Sequence, residues 1–302
     1  MKAEELMLRT KSFAPLSLTP EELIAYTPEW KGERFPNGRP KVPDEILQRM
    51  EKVTIEEAWS VLRNEGYEWQ FEGGWMSTSP GHTLVGRAVT AVYMPRREDV
   101  RRLIFQKAEE AGCIGDQVSW PIDTLVEGDV YVADIFGKIE YGAVVGSNLS
   151  TSVYAKTGKG VVHDGSVRDI EKVRKIEGYV GFFRGYHPTA ATSTIMLMGI
   201  NTPVRIGGVT VMPGDIVLAK DEGVVFIPPH LAEKVVITSE IIRLRDTFGE
   251  IRLREGKYTP GEIDRRWTPN IEEDFAQWVE DHIDELPVPK ETIQEYLKKR
   301  TW

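Results

Sequence analysis

Short apolar runs alternate with amphipathic segments along the middle of the chain, from about residue 54 to residue 183. The run 84–94, rich in valine and small apolar residues, is typical of a buried strand. Similar runs predict further strands at 130–135, 160–163 and 179–183. Apolar residues at three- and four-residue spacing predict helices at 54–66, 98–112, 148–156 and 167–176. This alternation of strands and helices indicates an α/β fold.

Three β-type runs follow, at 194–198, 204–211 and 216–228. The pairs Gly207-Gly208 and Pro213-Gly214 interrupt them, and such pairs mark turns. We therefore expect a mixed sheet or a second layer of strands.

The two ends of the chain lack this alternation. The first fifty residues contain six prolines and no sustained periodicity, which predicts an arm that wraps a surface rather than a domain. After residue 228, helices are predicted at 237–245, 271–286 and 290–300. The second of these has apolar residues at helical spacing, so its seven acidic side chains are expected to face solvent. A metal or partner site on this acidic helix is the alternative.

Composition narrows the range of partners. A net charge of −9, from 38 basic and 47 acidic residues, argues against nucleic acid, because phosphate backbones attract clustered lysine and arginine. No apolar run reaches the roughly 18 residues of a membrane span, and residues 1–10 are charged rather than signal-like. The single cysteine, Cys113, excludes an internal disulfide and a cysteine-rich zinc site. We therefore expect a cytoplasmic protein without a membrane partner, in which oxygen or histidine binds any metal.

Candidate chemistry is concentrated in residues 142–169, since the chain contains no P-loop, HExxH, CxxC or GxSxG motif. Gly146-Ser147-Asn148 lies where a helix is predicted to begin. Backbone N–H groups and the positive end of the helix dipole make such a point a cradle for a carboxylate or phosphate. The alternative is that Ser147 or Asn148 only caps the helix.

A second candidate follows the next predicted strand, which ends at His163-Asp164 and turns into Arg168-Asp169. Open α/β sheets bind ligands where the loops at neighbouring strand ends face one another. Arg168 offers a fork of donors for a keto or carboxylate oxygen, and Asp169 could hold a hard divalent cation. The alternative is a solvated surface pair of opposite charges.

Several motifs occur in an order that resembles the RraA-like family, over about residues 53–228. The family includes the class II 4-hydroxy-4-methyl-2-oxoglutarate aldolases and the regulators of ribonuclease E activity. The motifs that carry the resemblance are Gly128-Asp129-Val130, 146–149, 164–169, 203–209, 213–215 and 223–228. The most specific are the segments of form DGxVRD and PVxIGGVxVxPGD.

The resemblance implies a three-layer β/β/α fold of the swivelling, phosphohistidine-domain type, assembled as homotrimers or hexamers with sites near subunit interfaces. It also implies Mg²⁺ or Mn²⁺ held by Asp169 and waters. Arg168 would bind the keto oxygen that becomes an enolate, and the amides of Gly146 to Leu149, Ser147 and Asn148 included, would bind the substrate carboxylate. On this interpretation, residues 1–52 form an N-terminal arm and residues 229–302 form a helical C-terminal extension.

Two departures from the family pattern affect the site. Ser147 stands where the aldolases usually carry an acidic residue, so proton transfer must be reassigned. Lys220 replaces an acid in the late motif; it either binds a substrate carboxylate or is a surface lysine at a strand end. His187 is the best candidate to replace the missing acid or base, because histidine exchanges protons near neutral pH. His163 is expected to be a hydrogen-bonded structural residue.

The leading hypothesis is a metal-dependent lyase that cleaves a 4-hydroxy-2-oxo acid through a pyruvate enolate, with oxaloacetate decarboxylation as a possible side reaction. One alternative is a metal-dependent dehydratase or hydratase of a sugar-acid-like substrate. The other is a non-enzymatic regulator that binds an RNA-degrading enzyme. The presence of both Arg168 and Asp169 favours an enzyme.

Overall fold

The computed structural model describes residues 16–286 and 288–299. The predictions for residues 1–10, for the beginning of the arm and for residue 300 of the terminal helix lie outside these residues. The chain divides into two compact units, the first ending at Ala232 and the second beginning at Glu233. Among the residues described, no helix combines the length and the apolar composition needed to cross a membrane.

The first unit alternates helices and strands. Its helices are α1 (Pro20–Tyr26), α2 (Asp44–Met50), α3 (Ile55–Asn64), α4 (Glu98–Glu110), α5 (Trp120–Asp123), α6 (Ser147–Thr157) and α7 (Ile170–Val173). Its strands are β1 (Phe71–Glu72), β2 (Met76–Ser77), β3 (Leu84–Pro95), β4 (Asp129–Val145), β5 (Val161–Val167), β6 (Gly181–Tyr186), β7 (Ile195–Ile200), β8 (Val204–Ile206), β9 (Val209–Val211), β10 (Ile216–Lys220) and β11 (Gly223–Ile227). Thr54 and Glu57 form the predicted capping box at the start of α3.

The strands of the described residues form one large mixed sheet and one small hairpin. The order in the large sheet is β1-β11-β10-β3-β4-β5-β6-β2, with β7 paired to β3, and β3 to β6 run parallel. The hairpin of β8 and β9 covers one face and shares an apolar core with it, and helices α4 to α7 cover the other face. The predicted β/β/α arrangement of layers is therefore confirmed.

The large sheet curls back on itself. Its two outermost strands, β1 and β2, are separated in the chain by only residues 73–75. Eight flat strands would place these edges about 34 Å apart, whereas the connecting segment reaches at most about 14 Å. Arg184 on β6 bridges the closure: its guanidinium donates to Asp164 Oδ1 on β5 (2.6 Å), Glu72 Oε1 on β1 (2.6 Å) and the Gly73 carbonyl (2.7 Å).

The N-terminal segment packs against the rest of the first unit. Leu23 of α1 and Met50 of α2 are fully buried. Between them, Arg39 donates two hydrogen bonds to the Asp129 carboxylate at the start of β4, at 2.8 and 3.0 Å. The charged groups of this pair are almost completely excluded from solvent.

Two boundaries near the ends of the parallel strands differ from the sequence predictions. Strand β4 continues to Val145 instead of ending at residue 135, through irregular pairing with left-handed residues at Phe136 and Tyr141. Since β5 continues to Val167, the helix predicted at 167–176 is reduced to the four residues of α7. The turn predicted at Gly207-Gly208 is confirmed: the run 204–211 is a hairpin, and its turn places Gly207 at a positive φ of 58°.

The second unit is helical and has its own aromatic core. Its helices are α8 (Ala232–Arg254, beginning at the boundary), α9 (Pro260–Ile263), α10 (Pro269–His282) and α11 (Lys290–Lys299). The expectation that every acid of 271–286 faces solvent is wrong for two residues. Glu272 is buried and accepts from Arg245 at 2.9 Å, and Asp274 accepts from Arg252 at 2.9 Å.

Candidate functional site

Three neighbouring parallel strands end side by side. Val145 of β4 is aligned with Val167 of β5, which is aligned with Tyr186 of β6. The residues that follow these three, Gly146, Arg168 and His187, form what we call the strand-end row. Two backbone hydrogen bonds fix the row, from the Arg168 N–H to the Val145 carbonyl (3.2 Å) and from the His187 N–H to the Val167 carbonyl (3.1 Å).

Gly146 allows the next strand end to approach closely. A Cβ atom at this position would lie 2.5 Å from Asp169 Oδ2 and 2.9 Å from Arg168 Cγ. The Ser147 N–H donates to Asp169 Oδ2 at 3.3 Å. The structure thus brings Gly146, Ser147, Arg168 and Asp169 together, and the site requires glycine at 146.

Asp169 occupies a left-handed conformation with φ of 57°. Aspartate tolerates this region better than most residues, at some cost in energy. The Asp169 carbonyl accepts the N–H groups of Lys172 (2.8 Å) and Val173 (3.0 Å), so the residue both starts α7 and points its carboxylate toward α6. The side chain is exposed at the strand end.

Gly146 is the N-cap of helix α6 and supplies no side-chain cap, and neither Ser147 nor Asn148 caps the helix. The capping alternative proposed for Ser147 and Asn148 is therefore not what the structure has. Within the described residues, the N–H groups of Asn148 and Leu149 have no acceptor, and they lie at the positive end of the helix dipole. Two adjacent free amides next to Asp169 can bind a carboxylate.

Arg168 and His187 complete the row. Arg168 is exposed and forms no ion pair with Asp169 or with any other described acid, so its guanidinium is free to meet a ligand. His187 Nδ1 accepts the Thr189 N–H at 3.2 Å, which leaves Nε2 to carry the proton of the neutral ring. The His187 ring lies 4.8 Å from that of Tyr141.

Lys220 is not part of this cluster in the described chain. It ends β10, and the preceding Ala219 is paired with Leu84, the first residue of β3. The strand-end row lies at the opposite ends of the parallel strands. Lys220 Nζ donates instead to the Glu51 carbonyl at 3.3 Å.

His163 is structural, but the expected hydrogen bonds are absent. Its ring is fully buried between Tyr131 (4.6 Å between centroids) and Phe183 (5.6 Å), and within the described chain neither ring nitrogen has a partner. Burial lowers the pKa of His163 to about 3, which keeps the ring neutral.

Asp169 is a suitable ligand for a hard cation that keeps most of its water. The described residues contain no group of three or more His, Cys, Asp or Glu side chains placed to hold a metal. A closed zinc site needs about four protein ligands. Mg²⁺ commonly keeps several waters and uses one or two carboxylates, which an exposed single aspartate can provide.

Sequence reasoning missed three residues around the row, Tyr141, Tyr186 and Arg174. Tyr141 lies in the unpredicted extension of β4. Tyr186 ends β6, and its hydroxyl accepts a hydrogen bond from Arg174 Nη2 at 3.3 Å. The sequence contained a partial signal for these residues, because Tyr186 directly precedes His187.

The structure also shows cavities of about 480 Å³ beside α4 and about 270 Å³ beside the N-terminal segment, and neither is lined by the strand-end row.

Comparisons with known proteins agree with this fold. The family model described as RraA-like, Aldolase/RraA, matches residues 54–226. Protein DlpA of Legionella pneumophila is 31% identical over 178 residues, covering 58% of this chain and 27% of DlpA. A 4-hydroxy-4-methyl-2-oxoglutarate aldolase of Thermus thermophilus is 29% identical over 101 residues, covering 33% of this chain and 60% of that enzyme.

The chain thus spans about a quarter of the length of DlpA and about three-fifths of the aldolase. Among solved structures, RraAS2 of Streptomyces coelicolor, described as an unusual member of the RNase ES inhibitor RraA protein family, superposes with a TM-score of 0.58. It is 25% identical and covers 71% of this chain and 98% of its own. The matched region contains every strand of the large sheet except the last residue of β11, together with the strand-end row. The chain belongs to the RraA-like family.

Proposed function

We propose that this protein is a divalent-metal-dependent carbon–carbon lyase that cleaves a 4-hydroxy-2-oxo acid to pyruvate and a carbonyl compound, with oxaloacetate decarboxylation as a side activity. The observation that supports it is the grouping at one strand edge of the Asp169 carboxylate with Arg168 and two amides of α6 that have no partner among the described residues. The aldolase name of a relative at low identity and partial coverage agrees with a lyase at the level of the family.

The substrate carboxylate binds the N–H groups of Asn148 and Leu149, where the helix dipole favours negative charge. Arg168 then donates to the 2-keto oxygen from the neighbouring strand end. Its positive charge stabilises the oxygen as negative charge develops during cleavage. Bound through Asp169, Mg²⁺ or Mn²⁺ would supply Lewis-acid stabilisation of the same charge.

His187 is the proposed proton donor. As the C3–C4 bond breaks, the C4 hydroxyl gives its proton to a solvent water and becomes the carbonyl of the released fragment, and the electron pair of the broken bond forms the enolate. Proton transfer from His187 Nε2 to C3 then gives pyruvate, and the ring regains a proton from solvent. His187 is the third member of the row, one strand spacing from Arg168, about 4.8 Å. The Thr189 N–H donates to Nδ1, so Nε2 carries the proton that the ring can donate.

The row is open in a single chain, and exposed apolar side chains border it at Ile139, Tyr141 and Tyr186. We propose that the protein acts in the cytoplasm as a homotrimer or hexamer, in which a second copy covers this edge. Lys220, at the far end of the parallel strands, is then available to a site of a neighbouring copy or is a surface residue.

The test is pyruvate release by the full chain with Mg²⁺ or Mn²⁺ from a panel of 4-hydroxy-2-oxo acids and oxaloacetate. Asp169→Asn keeps a residue that tolerates the left-handed conformation and removes the charge. We expect it to lower kcat/KM by at least about 100-fold and to abolish Mn²⁺ binding measured by electron paramagnetic resonance. Asp99→Asn, at an exposed ion pair on α4, is the matched control.

Full activity in Asp169→Asn would refute the mechanism. If no substrate yields pyruvate, the second candidate is a regulator of an RNA-degrading enzyme, which the likeness to RraAS2 supports. Consumption of a sugar acid without pyruvate release would instead indicate a dehydratase.

A further inference from the structure

Arg174 returns to the strand edge after α7. This helix has only four residues, and the Arg174 N–H donates to the Ile170 carbonyl at 3.0 Å, so Arg174 follows Asp169 by little more than one turn. Its guanidinium reaches β6, where Nη2 donates to the Tyr186 hydroxyl at 3.3 Å. Because Tyr186 is aligned with Val167, this contact lies beside the strand-end row.

The segment around the site is positively charged in an acidic protein. Residues 168–175 contain four cations and two acids, while the whole chain carries −9. In the part of the chain that the structure describes, neither Arg168 nor Arg174 forms an ion pair with a carboxylate. Two exposed guanidinium groups without acidic partners on one edge favour a ligand with more than one negative group.

The order of groups along the edge gives the direction of the substrate. The free amides of α6 lie at the β4 side, Arg168 follows β5, and Tyr186 and Arg174 lie at the β6 side. Two strand spacings cover about 10 Å. A 2-oxo acid with its carboxylate on α6 and its keto oxygen on Arg168 therefore extends its remaining carbons toward Arg174.

We propose that Arg174, positioned by Tyr186, determines substrate specificity by binding a second anionic group, a carboxylate or a phosphate, on the fragment that leaves as the carbonyl product. The proposal rests on the proposed lyase function, but it concerns the part of the substrate that the pyruvate-forming groups do not touch. Arg174 binds this group directly. Tyr186 acts through Arg174, since its hydroxyl restricts the orientations of a long side chain.

Kinetics with matched substrates test the proposal. The substrates are 4-hydroxy-2-oxo acids of equal chain length that end in a carboxylate, a phosphate or a methyl group. Hydrogen bonds to a charged group contribute about 1.5 to 3 kcal/mol, so Arg174→Met should raise KM for the preferred anionic substrate about 10- to 150-fold. It should change kcat little and leave the methyl-ended substrate unaffected. Lys175→Met, the neighbouring cation without the Tyr186 contact, is the control.

Tyr186→Phe separates positioning from binding. It should raise KM for the same anionic substrate by a smaller factor, about threefold to tenfold, and Arg174→Lys should restore part of the affinity lost in Arg174→Met. The anionic substrate whose KM increases more in Arg174→Met shows whether the site recognises a carboxylate or a phosphate. Equal KM effects of Arg174→Met on anionic and methyl-ended substrates, or equal effects of Lys175→Met and Arg174→Met, would overturn the proposal.

A binding measurement keeps the two proposals distinguishable. Calorimetry of the full chain with Mg²⁺ compares 2-oxoglutarate with 2-oxopentanoate, which has the same chain length and no second carboxylate. Tighter binding of 2-oxoglutarate that is lost in Arg174→Met supports the role of Arg174 even where no pyruvate is released. Equal binding of both acids by the unmodified protein, with pyruvate released in the kinetic assay, refutes the role of Arg174 and leaves the lyase intact.

Discussion

The buried pair of Arg39 and Asp129 gives the most direct test of how the N-terminal segment is attached. The two side chains form two parallel hydrogen bonds at 2.8 and 3.0 Å, and 3% of the arginine and none of the aspartate side chain is exposed. The Arg39 guanidinium also stacks on the Phe35 ring, 4.2 Å from its centroid. We choose Arg39→Met because methionine keeps contact with an aromatic ring and removes only the charge and the donors.

Removal of one partner leaves Asp129 buried without its counter-charge. Such a change costs about 3 to 5 kcal/mol, which corresponds to a fall in Tm of roughly 6 to 20 °C. Burial already raises the pKa of Asp129, and Arg39 opposes this rise. Without Arg39 the pKa rises further, so the folded state holds a proton that the unfolded state has released. The deficit in stability should therefore grow as the pH rises and shrink toward acid.

Thermal and urea unfolding of the full chain from about pH 5 to pH 8 measures both effects. Arg97→Met removes an arginine whose pair with Asp99 is exposed, and it should leave Tm unchanged. The double variant Arg39→Met/Asp129→Asn should recover much of the loss, because no charge remains buried. The reasoning is refuted if Arg39→Met is no less stable than Arg97→Met, or if the double variant is as unstable as Arg39→Met at pH 8.

Three further outcomes are expected. Gly146→Ala should displace Asp169 and lower kcat/KM at least about tenfold in the pyruvate assay, whereas Gly261→Ala, which meets no atom within 4 Å, should not. Between pH 6.5 and about 3 only the unfolded state protonates His163, so the free energy of unfolding decreases as the pH is lowered. His163→Leu should remove up to about 1.4 kcal/mol per pH unit of this decrease, as measured by urea titrations. Arg184→Met should lower the free energy of unfolding by about 3 to 5 kcal/mol and speed amide exchange in β1 and β2, as measured by mass spectrometry.

Local signals in the sequence predicted the elements that local chemistry determines. The capping box at Thr54, the valine-rich run of β3 and the glycine pair at 207 each specify their own structure within a few residues. The extension of β4 was missed because Phe136 and Tyr141 adopt the left-handed conformation there, which is uncommon for residues other than glycine. Distant contacts stabilise that conformation, such as the hydrogen bond from Thr194 Oγ1 to the Tyr141 carbonyl at 2.7 Å.

In the candidate site, too, the sequence predicted the features that neighbouring residues determine and missed those that distant strands determine. Gly146 and Asp169 stand in contiguous motifs at predicted strand ends, so their approach could be expected from sequence. The surroundings of His163 depend on β4 and β6, which supply Tyr131 and Phe183, and no described residue is a partner for its nitrogens. No pattern around residue 163 contains that information, and the expectation of a hydrogen-bonded histidine failed for this reason.

Arg184 shows why the geometry of the row depends on closure of the whole sheet. Through Asp164 it fixes β5 against β6 three residues before Val167 and two before Tyr186, and through Glu72 it fixes both strands to β1, 112 residues earlier in the chain. The Trp75 ring covers its guanidinium at 3.7 Å and limits access of water to these ion pairs. Since Arg168 and His187 directly follow the braced strands, their separation is set by contacts within the sheet rather than by their own loops. Side chains held by regular strands keep their geometry better than side chains on loops, so substitutions at Arg184 are expected to act on the site as well as on stability.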